Sequence, residues 1–361
     1  MLAADRTIRR AVPLLGATAL MLGIACTGAC GAGVPRPTTY WQAISYTTKR
    51  PAFKPTRIVL VSTPWRLKRV VANLQPGELV VAQPGISIAG EVTIAKPAGG
   101  SAEVDLGSGA KAVHFTGNTD ASDLPAVYVT ASDVQIYGGD VTNPGGAGIL
   151  FHGNANVRWW GFKIHDTGDN GLGMFPVTPI TGCDIQGEIT QAGGNLAFDP
   201  HGEKGTGLHA ANLADHVGTF ANNRIALYVH DQPTGAAVEI GEPEKPSDFG
   251  GNVLYLRADG LKMMARSQVA GNGVQLWGAP GLGLDIKYLE VTNAMGRAVD
   301  TGVAPAGVMA GVTVEYGVAR NTNLNPHLLD TESDIARTQP WDPRAGVVYK
   351  DVLPRLRPAP Q

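Results

Sequence analysis

One short unit recurs in the middle of the chain, and it restricts the fold more than any other feature. DVQIYGGDVTNPGGAGILFHG (133–153) is followed by NVRWWGFKIHDTGDNGLGMFP (156–176) and then by PITGCDIQGEITQAGGN (179–195). Val134, Val157 and Ile180 are spaced by 23 residues. A period of roughly 20 to 25 residues is the size of one solenoid coil. A single coil has an apolar face that it cannot bury alone, so coils stack to close a core. Later coils begin near Val217, Val253, Leu284 and Val312, with insertions between them.

Within a coil, a strand ends in a polar turn and the next strand follows. The turns are TNPGGAG (142–148), HDTGDNG (165–171), HDQPTGA (230–236) and TNAMGRA (292–298). Asn, Asp and Gly dominate them because such turns need positive backbone angles and side-chain-to-backbone hydrogen bonds. After the turns, Ile149/Phe151, Leu172/Met174, Val238/Ile240 and Val274/Leu276 are expected to point inward and their middle residues outward. With 47 Gly and only 17% charged residues, a helical bundle is disfavoured.

Residues 1–32 read as an export signal. Arg6, Arg9 and Arg10 form a basic start, and AVPLLGATALMLGIA is an apolar core too short for an ordinary membrane span. Arg9-Arg10 permits a twin-arginine route. Cys26 and Cys30 sit among small residues, as a lipidated cysteine does, although neither has Leu three residues ahead; plain cleavage near Ala29 or Ala32 is the alternative. The expected location is therefore secreted, or lipid-anchored outside a bacterial cytoplasmic membrane, as a monomer. Without Asp5, Arg6, Arg9 and Arg10 the formal charge moves from −2 to −4, which leaves no electrostatic footprint for nucleic acid. Cys183 is read as a buried apolar side chain.

Residues 33–57 form a Pro/Thr/Lys-rich tether and 58–330 the domain. In TPWRLKRVVANLQPGELVVAQPG (63–85), Trp65, Val70, Val71 and Leu74 have helical spacing, with Pro64 at the first helical position. Pro76-Gly77 stops the helix, and ELVVA is a strand bounded by Pro84-Gly85. From Leu324 the pattern fades, and 331–361 reads as a Pro-rich tail with no further coil, covering the C-terminal end or trailing along the surface.

A short helix, Pro-Gly, a Val-rich strand and a second Pro-Gly resemble the opening of right-handed parallel β-helix proteins, the pectate-lyase-like superfold. The resemblance implies an all-β solenoid with a short N-terminal helix plugging its open end. It matches no specific catalytic family. The compact Asp-pair and His-Gly arrangement of the pectin-hydrolysing branch is missing, since His201-Gly202 and Asn118-Thr119-Asp120 lie in other contexts and another order.

Stacking brings equivalent outward positions about 4.8 Å apart. After the turn, the outward column reads Leu150, Gly173, His209, Glu239, Gln275, Asp300. Before the turn, one column reads Asp140, Lys163, Glu188, Tyr228, Lys262, Glu290, and the next Thr142, His165, Thr190, His230, Met264, Thr292. Asp140/Lys163/Glu188 alternate in sign and read as ordinary cross-strand pairs. The column from His209 to Asp300 is flanked by two insertions, DPHGEKG before His209 and GEPEKPSDFGG (241–251) after Glu239, which read as walls of a groove.

Three functions suit this surface. The favoured one is hydrolysis of an extracellular polysaccharide by two carboxylates. Glu239 and Asp300, two coils apart at about 9.6 Å, compare with the roughly 6.5–9.5 Å of inverting glycosidases. Glu239 is the acid, Asp300 activates water, His209 bonds the acid or the sugar, and Glu203 substitutes for either carboxylate from its loop. His201, His230, Asp231, Lys262, Arg266, Gln275 and Trp277 are the expected substrate-binding residues. No cofactor is expected. The second is suggested by the resemblance: polysaccharide lyases on this fold remove the proton beside a uronate carboxyl group with Lys, Arg or His, often with calcium. Lys262, Arg266 and His230 would then be base and neutraliser. The third is a non-catalytic glycan- or cell-wall-binding solenoid using Trp159, Trp160, Tyr228 and Trp277. One of Trp159 and Trp160 must face the core.

Overall fold

The computed structural model describes residues 39–45, 51–96, 99–120, 124–176, 178–193, 205–210, 218–241, 248–262, 271–276, 283–301, 311–323, 339–342 and 346–355. Every strand pairing among them is parallel, and the strands fall into three sheets. Sheet one has fourteen strands, beginning at Arg57–Val61 and ending at Val348–Leu353. Its middle is built from Arg158–Thr167, Asp184–Ala192, Arg224–His230, Asn252–Asp259 and Leu284–Thr292. Sheet two stacks eight short strands from Val92–Ile94 to Val299–Asp300. Sheet three stacks Ile180–Thr181, Thr219–Ala221 and Asp248–Gly250. Successive coils alternate between sheets one and two, and three of them also add a strand to sheet three, which is the parallel β-helix that the repeat predicts.

The period-two alternation sets the core. Ile149/Phe151, Leu172/Met174, Val238/Ile240 and Val274/Leu276 are all buried, as expected. Trp159 is 0% exposed and its indole N–H donates to the Gly138 carbonyl at 2.9 Å, while Trp160 next to it turns outward. Cys183 is buried as read from the sequence. At the corner leaving sheet one, Asp166, Gln191, Asp231 and Asn293 adopt positive φ, the left-handed conformation that Asn and Asp tolerate. Just before sheet two, backbones approach too closely for a side chain. A Cβ on Gly207 would lie 2.5 Å from the Ala237 carbonyl oxygen and 2.8 Å from Val229.

Four sequence expectations change. The coil after Val157 is longer by three residues: Arg158 pairs with Asp184, so Cys183 rather than Ile180 matches Val157. The extra residues lie between Met174 and Thr181, and Ile180 belongs to sheet three. The N-terminal plug is helix Pro64–Val71, capped by the Thr63 hydroxyl accepting from the Arg66 amide at 3.4 Å. It buries Leu67 and Val71, but Trp65 is 69% exposed under the Arg69 guanidinium. At the other end, Val348–Leu353 adds a strand beside Thr313–Arg320, and buried Trp341 bridges to Val299. The region from Leu324 onward thus does supply one more strand. Finally, a helix at Tyr40–Ser45 forms within the expected tether. The export segment and Val217 lie outside the described residues.

Candidate functional site

Sheet two carries the first outward column in the predicted order. Leu150, Gly173, His209, Glu239, Gln275 and Asp300 lie opposite one another on successive strands. Tyr128 and Thr93 continue the line toward the N-terminus. The neighbours of His209 and Glu239 along their strands, Leu208/Ala210 and Val238/Ile240, are buried, so alternation turns His209 and Glu239 outward. Phe175 meets the His209 ring edge-on at 5.3 Å, and the Thr206 hydroxyl donates to Asn170 at 2.7 Å and lies 3.4 Å from Glu239 Oε2.

The far end of this column is a closed polar network. Gln275 is 3% exposed and accepts from the Asn272 amide. The same Asn272 amide donates to Asp300 Oδ2 at 3.0 Å, and Arg297 lies 3.3 Å from Asp300 Oδ1 and 3.3 Å from Asp342 Oδ2. Asp342 is fully buried and also accepts from the Thr301 hydroxyl at 2.7 Å. Both Asp300 oxygens are therefore engaged, which suits a fixed structural carboxylate better than one that takes a proton from water.

Sheet one carries a second cluster. The column before the turn reads Asp140, Lys163, Glu188, Tyr228, Arg257, Glu290, so Arg257 stands where Lys262 was expected. The next reads Thr142, His165, Thr190, His230, Asp259, Thr292, with Asp259 in place of Met264. The cause is the strict alternation of NVLYLRAD, whose strand starts at Asn252 and ends at Asp259; the insertion follows the strand instead of interrupting it. Lys262 sits beyond the strand and lines a cleft of about 370 Å³ with Asp166, Thr167, Gln191 and Asp231.

The chemistry of this face centres on His230. Its Nδ1 lies 2.7 Å from Asp231 Oδ2 and its Nε2 lies 3.2 Å from Glu188 Oε1. Its ring stacks on Tyr228 at 4.6 Å, and the Arg257 guanidinium lies over the Tyr228 ring at 4.7 Å. Lys163 reaches Glu188 at 3.2 Å, and His165 repeats the motif with Asp166 at 2.7 Å and Asp140 at 2.9 Å. Burial raises the Glu188 carboxyl, but hydrogen bonds and charge from His230 and Lys163 outweigh it and hold the group below the ordinary carboxylate value. Burial raises the Tyr228 phenol; Arg257 opposes this only in part.

Of the residues singled out in the sequence, His209, Glu239, Gln275 and Asp300 come together on sheet two. His230 and Asp231 come together on sheet one, with Lys262 at the adjoining cleft. His201, Glu203, Arg266 and Trp277 lie outside the described residues, as do most of the two insertions. Arg257 was missed, and the alternation of its strand was the signal that could have found it. Among the described residues no three His, Cys, Asp or Glu side chains converge as a metal site would require.

No family model matches the chain, and no curated protein matches it in sequence. Solved structures do. An alginate lyase from Paenibacillus sp. str. FPU-7 superposes with a TM-score of 0.52 at 16% identity, over 82% of this chain and 99% of that one. The pectate lyase Pel9A superposes with a TM-score of 0.53 at 16% identity, over 74% of this chain and 70% of that one. The chain is a right-handed parallel β-helix, the fold it shares with these two proteins.

Proposed function

We propose that this chain is an exported polysaccharide lyase acting on a uronate-containing glycan, at the outer face of sheet one. The observation that carries this reading is the stacked Tyr228–His230 pair with Arg257 over the tyrosine and Lys163 on the next column position but one. Eliminative cleavage removes the proton from the carbon bearing the carboxyl group. The electrons of that C–H bond form the new double bond, the bond to the glycosidic oxygen breaks, and that oxygen takes up a proton. A cation, a base and an acid are needed within reach.

Arg257 and Lys163 supply positive charge for the substrate carboxylate. His230, oriented through Nδ1 by Asp231, offers Nε2 as base once substrate displaces Glu188. Tyr228 keeps its proton above the usual phenol range and donates it to the leaving oxygen. The shared fold supports the reading, since an alginate lyase and a pectate lyase are built on it; fold alone does not fix activity. Two-carboxylate hydrolysis is weaker, because Asp300 is held by Arg297 and Asn272. Secretion or lipid anchoring through residues 1–32, and action as a monomer, belong to the same proposal.

The test is a panel of polysaccharides that includes alginate and polygalacturonate. An unsaturated product absorbing in the ultraviolet is expected, with turnover lowered about 10²- to 10⁴-fold by His230→Ala and by Tyr228→Phe. New reducing ends without ultraviolet absorbance, lost in Glu239→Gln, would overturn it in favour of hydrolysis.

A further inference from the structure

Charge is distributed unevenly along the chain. From Arg6 to Gly77 there are eleven Lys and Arg and no Asp or Glu, whereas from Glu78 onward 18 Lys and Arg stand against 30 Asp and Glu, a net −12. Such an asymmetry points to a charged surface with a partner of opposite sign. In the described part of the basic stretch, Lys54, Arg57, Arg66, Lys68 and Arg69 are all exposed, on the first strand, the plug helix or the segment that enters them. Glu78 is the first acid that follows; it is buried and takes up Arg57 at 3.7 Å. The plug helix packs on strands Glu78–Ala82, Ser87–Ala89 and Val92–Ile94. Glu91, just ahead of the last of these, accepts from the Thr93 hydroxyl at 3.5 Å on sheet two. Arg66, Lys68 and Arg69 have no ion-pair partner among the described residues. The N-terminal end is a basic cap on an acidic body.

The same end exposes apolar side chains. Of six large hydrophobic side chains exposed among the described residues, three are Ile58, Leu60 and Trp65. Alternation puts Ile58 and Leu60 on the outer face of sheet one, opposite the half-buried Leu79 and Val81 of the next strand. Trp65 opens the plug helix; Arg69 lies over its ring at 5.4 Å and leaves most of the indole in water. Pairing with a further strand would use the edge of Arg57–Val61, in the plane of the sheet, and would leave Ile58 and Leu60 uncovered. A dissolved polyanion would engage the cations and leave the apolar side chains wet. An anionic lipid surface satisfies both sets, since Lys and Arg stay among the headgroups while Trp and aliphatic side chains enter the interface. No helix among the described residues is long and apolar enough to cross a membrane, so the contact is a peripheral one.

We propose that the N-terminal end of the solenoid, with Ile58, Leu60 and Trp65 beside Lys54, Arg66, Lys68 and Arg69, is a docking surface for an anionic lipid membrane. The inference goes beyond the lyase reading and does not rest on it. The full-length protein is mixed with vesicles of phosphatidylcholine alone, or of phosphatidylcholine and phosphatidylglycerol in equal amounts, and amide exchange is followed segment by segment. That local readout separates the cap from any insertion of the apolar stretch 11–25. Anionic vesicles are expected to slow exchange in Arg57–Val61 and Pro64–Val71, and neutral vesicles are not; added salt weakens the protection by screening exposed charge. Arg66→Gln with Lys68→Gln, and separately Trp65→Ser, are expected to raise the lipid concentration for half-protection about tenfold or more. Thermal unfolding stays unchanged, because the three side chains are exposed. Equal protection by neutral vesicles, no protection at all, or protection that both variants retain overturns the proposal. So does protection by polygalacturonate and not by vesicles, which would make the cap a glycan site. Protection that follows protein concentration without lipid would make it a contact between copies and overturns it as well. Polysaccharide turnover in the same samples bears on the lyase reading alone, so the two proposals fail separately.

Discussion

Burial pushes the Cys183 thiol up to about 11, the backbone hydrogen bond near Val157 only partly offsetting it. The nucleophile of a thiol is its thiolate, so the folded protein should leave Cys183 unmodified by an aromatic disulfide reagent at pH 8 and react only in denaturant. Fast labelling of the native chain would show that the core is open there. Glu188 gives the opposite sign. Its folded value lies below the ordinary carboxylate value, so its contribution to stability is present above that value and disappears as pH falls through the folded one. The melting-temperature gap between parent and Glu188→Gln is therefore expected to close between about pH 6 and pH 3. At this exposure the effect is under about 1 kcal/mol. At this scale the outward line His209–Glu239–Gln275–Asp300 was legible, because alternation along a strand fixes which side chains face out. The engagement of Asp300 was not, because Asn272 reaches it from the preceding coil and Arg297, three residues before it, is shared with Asp342.

Elements were legible where they carried punctuation. Pro64 announced the plug helix through its pre-set φ, and the structure adds the Thr63 cap in front of it. Thr63→Ala should cost about 0.5–2 kcal/mol and Leu67→Ala about 2–5 kcal/mol, both read from denaturant unfolding midpoints. Equal effects of the two would mean that Leu67 does not seal the end of the core. Helix Tyr40–Ser45 was not read because its apolar residues, Tyr40, Ala43 and Ile44, fit one helical face of fewer than two turns inside a polar stretch. The coil beginning near Val253 was placed correctly, but its outward columns were assigned to Lys262 and Met264, beyond the end of the strand at Asp259. Its own alternation, with Leu254, Leu256 and Ala258 buried, fixes the register.

For the whole molecule, the repeat spacing gave the architecture and the end caps decide its cooperativity. Each coil rests on its neighbours alone, so stability is close to a sum of nearest-neighbour terms. Trp341 packs over the C-terminal end against Gly317 and Tyr349, and its indole donates to the Pro354 carbonyl. Trp341→Ala should cost about 3–5 kcal/mol. Amide exchange should quicken first in Thr313–Arg320 and Val348–Leu353 while Ala102–Asp105 stays protected; uniform acceleration along the chain would mean that the stack melts as one unit. The function was less legible than the fold, because a parallel stack presents several outward columns of equal regularity and only their packing partners tell them apart.

Sheet one ends on two unlike margins, Arg57–Val61 and Val348–Leu353, each with one side unpaired among the described strands. Ile58 and Leu60 on the first are 60% and 63% exposed. The unmet amides and carbonyls of one margin complement those of the other, so head-to-tail growth into a filament is the association this geometry invites. Arg57 on one margin pairs with Glu78 and Lys350 on the other with Glu315, so each brings its own counter-charge to such a joint.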